Sequence, residues 1–147
     1  MTVHSVPVLG GAGVSPEVPV LGAGVTLGAP PLPVLDLSGD PTIGTGSVTI
    51  ALTNGPLSAP FVAAIDLVTG YYAFPGPFVG PFLLGPPPPP PFLFGVLSAS
   101  GTFSLPISLA GLPPTLAHVP FHLQAVAFDV SRGAWRLSNG ETVILRP

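Results

Sequence analysis

Residues 119–145 read VPFHLQAVAFDVSRGAWRLSNGETVIL, and this stretch decides the fold class. Up to position 130, apolar side chains recur at every second residue, a period that predicts a β-strand with one face in a core. The polar residues 131–133 predict a turn, and Ser138, Asn139 and Gly140 predict another before a last strand. The stretch therefore predicts a β-meander. The core-facing positions of its first strand are Val119, Phe121, Leu123, Ala125 and Ala127, and the series ends at Asp129.

Composition favours an all-β fold for the rest of the chain as well. The 147 residues suffice for one domain with a single core. The 19 glycines and 23 prolines separate many short apolar runs, and a hydrophobic fraction of 47% argues against disorder. We predict an antiparallel β-sandwich of about seven to nine strands. It is expected to comprise residues 29–147, after an extended, apolar, Gly/Pro-rich arm of residues 1–28.

The other predicted strands follow the same alternation. We expect them at residues 32–37, 47–53, 61–68, 92–97 and 101–109, with Tyr71, Tyr72 and Phe74 prolonging the third. Residues 75–91 contain six consecutive prolines, which predict a long loop in the polyproline II conformation. A single helical turn is expected within residues 112–118.

Charged residues are scarce. Lysine is absent, and three arginines and six acidic residues give a net charge of −3. A solvated surface usually carries about a quarter to a third charged residues, whereas 6% of this chain is charged. This difference favours a surface that is partly buried against other subunits. The missing basic patch excludes nucleic-acid binding, which depends on positive charge.

Two further classes are excluded by residue type. The stretch between Asp66 and Asp129 has no charged residue, but proline and glycine interrupt it every few positions. We therefore expect no helical membrane span. Cysteine is absent, which excludes disulfides and thiolate metal sites. Residues 1–13 lack the basic and continuous apolar regions of a secretory signal as they stand.

Residues 1–35, which include the N-terminal arm, carry an imperfect repeat. Val-Pro-Val-Leu-Gly occurs at residues 6–10 and 18–22, and Leu-Pro-Val-Leu occurs at 32–35. Each unit is extended and apolar, and its proline cannot donate to a ladder, which suits an edge strand. We expect this arm to lie on its own domain or on a neighbouring subunit. The residues predicted to mediate self-association are Val6, Val8, Leu9, Val18, Val20 and Leu21.

The sequence lacks the motifs that would indicate a catalytic or metal-binding site. His118 and His122 have the spacing of helical metal ligands, but four residues of a strand span about 13 Å. A triad of a serine with His122 and Asp129 lacks a nucleophile-elbow motif. Calcium binding between loops would use Asp36, Asp40 and Asp66, without a dense acidic loop. We expect no enzyme activity, no metal and no cofactor.

One ligand platform remains as an alternative. Trp135, Tyr71 and Tyr72 supply the aromatic faces that carbohydrate sites use. Trp135 lies between Arg132 and Arg136, which equally suits a cation–π corner. The proline run would suit a groove that reads polyproline II, but its apolar neighbours favour a rigid loop.

Three short motifs resemble a module of predicted secreted proteins from planctomycetes and similar bacteria. They are residues 52–56 (LTNGP) with Ala59-Pro60, residues 124–129 (QAVAFD), and residues 137–140 (LSNG) before Val143-Ile144. The resemblance covers about residues 31–145 and implies a β-sandwich at the end of an exported protein, with no defined activity. This chain departs from the pattern because it has no cysteine in its middle loop and carries the proline run.

The sequence thus predicts a structural, self-associating protein, the subunit of an extracellular or cell-surface fibre. Its proposed partner is a second copy of itself, joined when part of residues 6–21 adds as a strand to an exposed sheet edge. The alternative is a carbohydrate-binding or adhesive β-sandwich.

Overall fold

The computed structural model describes residues 31–86 and 89–147. Pro31–Pro147 forms one compact unit. The predicted arm, residues 1–28, and the self-association residues Val6, Val8, Leu9, Val18, Val20 and Leu21 lie outside the described residues.

The described residues form ten strands and one 3₁₀ turn, which confirms the all-β class and exceeds the seven to nine strands predicted. Among them, no helix is long and apolar enough to cross a membrane. The strands are β1 (Val34–Asp40), β2 (Ser47–Thr53), β3 (Pro60–Asp66), β4 (Thr69–Tyr72), β5 (Phe78–Val79), β6 (Phe82–Leu84), β7 (Pro91–Val96), β8 (Phe103–Ser108), β9 (Pro120–Asp129) and β10 (Ala134–Ile144). The 3₁₀ turn is Pro114–Leu116.

Three sheets organise these strands. A three-stranded sheet has the order β1-β2-β8, a five-stranded sheet has the order β5-β10-β9-β3-β7, and β4 pairs with β6. All pairings are antiparallel except that of β5 with β10. The first two sheets pack face to face, because one core cluster draws buried residues from both.

Alternation explains which side chains fill this core. In β2 the buried residues are Val48, Ile50 and Leu52, with less buried or exposed residues between them. Opposite them, Leu123 and Ala125 of β9 are buried, as the period of two predicts. The ring centroids of Phe61 and Phe103 lie 4.7 Å apart, where β3 of one sheet meets β8 of the other. The predicted core positions Leu123, Ala125 and Ala127 are therefore confirmed, whereas Val119 and Phe121 are only half-buried.

The C-terminal meander was predicted wrongly at one point. Ser138, Asn139 and Gly140 do not form a turn, because β10 continues through them with a bulge between Leu137 and Gly140. Ser138 is buried, and its Oγ accepts a hydrogen bond from the N–H of Ala125 at 2.9 Å. The bulge keeps the strand paired with β9 on both sides of these polar residues.

The prediction that Tyr71, Tyr72 and Phe74 prolong the third strand was also wrong. The carboxylate of Asp66 accepts hydrogen bonds from the N–H groups of Leu67 and Val68 at 2.7 and 3.3 Å. The chain therefore turns after β3, and β4 pairs with β6 in a separate sheet. The predicted loop 75–91 correspondingly contains two short strands, β5 and β6.

Candidate functional site

The two open sides of the sandwich, called its flanks, differ in how their strand edges are covered. On one flank, the Asn139 side chain occupies the edge of β1: its Oδ1 accepts from the Leu35 N–H at 2.7 Å, and its Nδ2 donates to the Leu35 carbonyl at 2.9 Å. An amide that pairs with both backbone groups of one residue imitates a neighbouring strand. This flank is therefore partly closed by the bulge in β10.

On the opposite flank, the described strands leave the apolar edge of β7 unpaired. Within the described residues, β7 is the last strand of the five-stranded sheet. The side chains of Phe94 and Val96 are 67% and 62% exposed. The N–H of Leu97 donates to the Ala59 carbonyl at 2.8 Å, on the β3 side. Because backbone groups alternate in direction along a strand, those of Val96 and Phe94 point away from β3, toward the free edge.

A row of aromatic rings covers part of the outer face of the five-stranded sheet. The ring centroid of Trp135 lies 4.8 Å from that of Phe128 and 6.5 Å from that of Phe78. Phe74 continues the row, 5.5 Å from both Phe78 and Phe82. Trp135 is thus packed between two phenylalanines, while Tyr71 and Tyr72 lie in β4 of the two-stranded sheet. The predicted platform is divided between two sheets.

Beside this row lies a cleft of about 360 Å³. Phe74, Phe78 and Phe82 line it together with strand residues such as Val62 and Val126, and nearly all of its lining is apolar. Gln124 is the one polar residue among the described lining residues.

Gln124 fastens residues 74–84, which carry Phe74, Phe78 and Phe82 and are called the aromatic segment below, to the five-stranded sheet. It is buried on β9, its Oε1 accepts from the Leu83 N–H at 2.9 Å, and its Nε2 donates to the carbonyls of Pro81 and Ser138, both at 2.8 Å. The side-chain amide is fully used, which accounts for a polar residue at a buried position.

We expect Gln124→Ala to lower the free energy of unfolding by about 1–3 kcal/mol, because buried backbone groups lose their partners. Hydrogen exchange should accelerate at the Leu83 amide. Thr142→Ala, which removes an exposed hydrogen bond to His122, is the control and should leave Leu83 unchanged. Unaltered exchange at Leu83 in Gln124→Ala would show that something else holds the segment.

The histidine and acidic residues do not come together as a catalytic or metal site. His122 Nδ1 lies 2.8 Å from the Thr142 hydroxyl, whereas Asp129 bonds Ser131 and Arg136. Asp66 Oδ2 accepts from the Gly85 N–H at 2.9 Å. Among residues 31–86 and 89–147, no three histidine or acidic side chains cluster closely enough to hold a metal ion.

The buried acid Asp129 serves the fold. Burial would raise the pKa of Asp129, but hydrogen bonds from Ser131 and Arg136 and the charge of Arg136 outweigh it, so the pKa of Asp129 is lowered. The Arg136 Nε lies 2.9 Å from its carboxylate. This ion pair connects the end of β9 to the start of β10 and so stabilises the turn between them.

No protein-family model matches the chain, and comparison with curated proteins and with solved structures found no match. We therefore infer a function from the chain's own surface.

The most distinctive surface feature was not recognised from the sequence. Residues 92–97 were predicted as a strand, but nothing in them indicates that Phe94 and Val96 lie on a free edge. The one related feature of the sequence is the scarcity of charged residues, because β7 contains none.

Proposed function

We propose that the chain is a structural, self-associating protein, the subunit of an extracellular fibre or surface assembly. In this proposal, part of residues 6–21 of one copy adds as a strand to β7 of the next. The observation that carries it is the edge of β7, with which no other described strand pairs, and the exposed side chains of Phe94 and Val96 on it. Strand addition would pair the free backbone groups and bury these side chains.

β7 lacks most of the devices that keep natural edge strands from pairing. Such strands usually carry lysine, an internal proline or a bulge. This chain has no lysine, the proline of β7 is its first residue, Pro91, and the bulge lies near that end, between the Ala63 and Ala64 pairings. Among the described residues, nothing therefore blocks pairing along residues 93–96.

The contact is of the head-to-tail type. The donor segment and the acceptor edge are different surfaces, so successive copies add without closing a ring unless the rotation between them allows it. Open addition of this kind builds filaments. Subunit contacts would also account for a charged fraction of 6%, and the resemblance to modules of exported proteins supports an extracellular location.

Carbohydrate binding is the alternative, supported by the ring of Tyr71, which is 75% exposed. Trp135 contributes less, because Phe128 and Phe78 pack against it. The neighbouring cleft is lined almost entirely by apolar groups, whereas ligand sites combine aromatic faces with a few polar groups. Self-association has the stronger support.

Two lysines on the edge test the proposal. Phe94→Lys combined with Val96→Lys places charges where a strand would add, as natural edges do. We expect this variant to remain a monomer by light scattering while the unaltered chain assembles. Ser38→Lys with Thr53→Lys adds the same charge at exposed positions of β1 and β2 and should assemble normally. Equal assembly of both variants would contradict the use of β7.

A further inference from the structure

We infer that the acceptor is a slot between β7 and β8, and that a Val-Pro-Val-Leu unit of a second copy, residues 6–9 or 18–21, closes it. The valines would pair with β7, and the proline and leucine would point between the two sheets. This inference rests on the proposed function and specifies its site.

β7 and β8 border the same flank of the sandwich. Each is the last strand of its sheet among the described residues. A Cβ built on Gly95 of β7 would lie 3.5 Å from the ring of Phe103 in β8. The chain passes directly from one strand to the other, and the connection is tied by a Ser98 to Thr102 backbone hydrogen bond of 2.8 Å. The two edges are therefore joined at one end of the flank.

Beyond this joined end, an apolar cavity of about 290 Å³ lies between the sheets. Phe92 of β7 and Ile107 of β8 both line it, and Val48, Ile65 and Phe121 lie deeper in the sandwich. All of its described lining residues are apolar. Its volume is about twice the ~150 Å³ of an engineered apolar cavity that stays dry and binds benzene. The cavity thus suits aliphatic side chains.

Proline decides which of the two edges can accept a strand. The Leu109 N–H donates to the Gly46 carbonyl, on the β2 side. By alternation, the backbone of Ile107 also faces β2, and Pro106 faces the free edge, where it offers no N–H. β7 has no proline after its first residue. The added strand is therefore expected to pair with β7.

The same alternation orients the added unit. In an added strand, Val18 and Val20 would direct their backbone groups to one side and Pro19 to the other, so only the valines could face β7 without losing a hydrogen bond. In an antiparallel pair, residues that exchange hydrogen bonds have side chains on the same face. The valines then lie beside Phe94 and Val96 on the outer face. Pro19 and Leu21 consequently point inward, to the cavity, and the unit at residues 6–9 has the same pattern.

The chain preceding the domain is long enough to reach a neighbour. β1 begins at Val34, 13 residues after Leu21. An extended segment of that length spans about 43–47 Å. This reach exceeds the width of a compact domain of this size, roughly 35 Å across.

Disulfide trapping tests the inference in the full-length chain, which contains no cysteine. Donor variants Val8→Cys and Val20→Cys are mixed separately with acceptor variants Phe94→Cys and Val96→Cys and oxidised. Directly opposed residues of a hydrogen-bonded pair are about 5.5 Å apart at Cα, within the range of a disulfide. We expect a cross-linked species of twice the chain mass. It should form on the order of a hundredfold faster than by collision, because assembly raises the local concentration.

Matched controls identify the site and the orientation. Thr53→Cys replaces the acceptor by an exposed position on β2, Val14→Cys replaces the donor by a valine outside the repeat, and Leu21→Cys places the thiol on the inward face. All three should cross-link slowly. One contrary outcome is that the donor variants cross-link to Thr53→Cys as fast as, or faster than, to Phe94→Cys and Val96→Cys. If light scattering still detects assemblies in that case, the proposed slot is contradicted but self-association is not. If the unaltered chain is monomeric, both proposals fail.

Discussion

Asp129→Ala should lower the free energy of unfolding by about 3–5 kcal/mol, because it removes one partner of a buried ion pair. Asp129 and Arg136 are 6% and 3% exposed. Their closest atoms are 2.9 Å apart. The carboxylate also accepts hydrogen bonds from the N–H and the hydroxyl of Ser131, at 3.1 and 2.6 Å. The substitution therefore removes the ion pair with Arg136 together with the two hydrogen bonds from Ser131.

The matched control is Asp40→Ala. Asp40 forms an ion pair with Arg146 at 3.2 Å, but both side chains are exposed, so water solvates each charge when the other is removed. Denaturant titration should show a much smaller change for this variant. Similar losses in the two variants would contradict the assignment of Asp129 to a buried, structural pair.

The same pair predicts how stability depends on pH. The pKa of Asp129 in the folded chain lies below its ordinary value of 3.8. As pH falls, the unfolded chain binds the proton first, so the stabilisation from this carboxylate is complete above about pH 5 and is lost below it. Asp129→Ala should show a weaker dependence between about pH 5 and 2. An identical dependence in both proteins would contradict the lowered pKa.

Strands with regular alternation were predictable from the sequence. Residues 47–53 form β2 as predicted, and β9 spans Pro120–Asp129 with Leu123, Ala125 and Ala127 in the core. In both, hydrophobic burial on one face determines the local conformation. Nothing farther away along the chain was needed to recognise them.

The Ser-Asn-Gly sequence at residues 138–140 shows where local reasoning fails. These residues favour a turn when considered alone. In the fold, the Asn139 side chain bonds the backbone of Leu35, 104 residues away, and Ser138 bonds Ala125. These distant partners satisfy the polar groups within a bulged strand.

The aromatic segment and the free edge depend on the order of strands in space. β5 and β6 are short and rely on β10 and β4 for pairing, while Gln124 of β9 holds Pro81 and Leu83. Likewise, β7 is an edge because, among the described strands, it pairs with β3 on one side and with no strand on the other. No local pattern specifies such neighbours, so the candidate site was not predictable in detail.

Aspartate at the centre of both repeat units should abolish assembly. Val8→Asp and Val20→Asp together would place one charge against β7 from either donor unit, where Phe94 and Val96 supply only apolar contacts. Val14→Asp with Val25→Asp adds the same charge to the same arm, outside both units. The pair of variants thus separates the loss of a specific contact from a general effect of charge.

The most direct measurement is the molecular mass of these full-length chains by light scattering over a range of concentrations, with electron microscopy of the same samples. Strand addition predicts filaments for the unaltered chain and for Val14→Asp/Val25→Asp, and a 14.7 kDa monomer for Val8→Asp/Val20→Asp. A monomeric unaltered chain, or filaments from Val8→Asp/Val20→Asp as abundant as those of the unaltered chain, would contradict it.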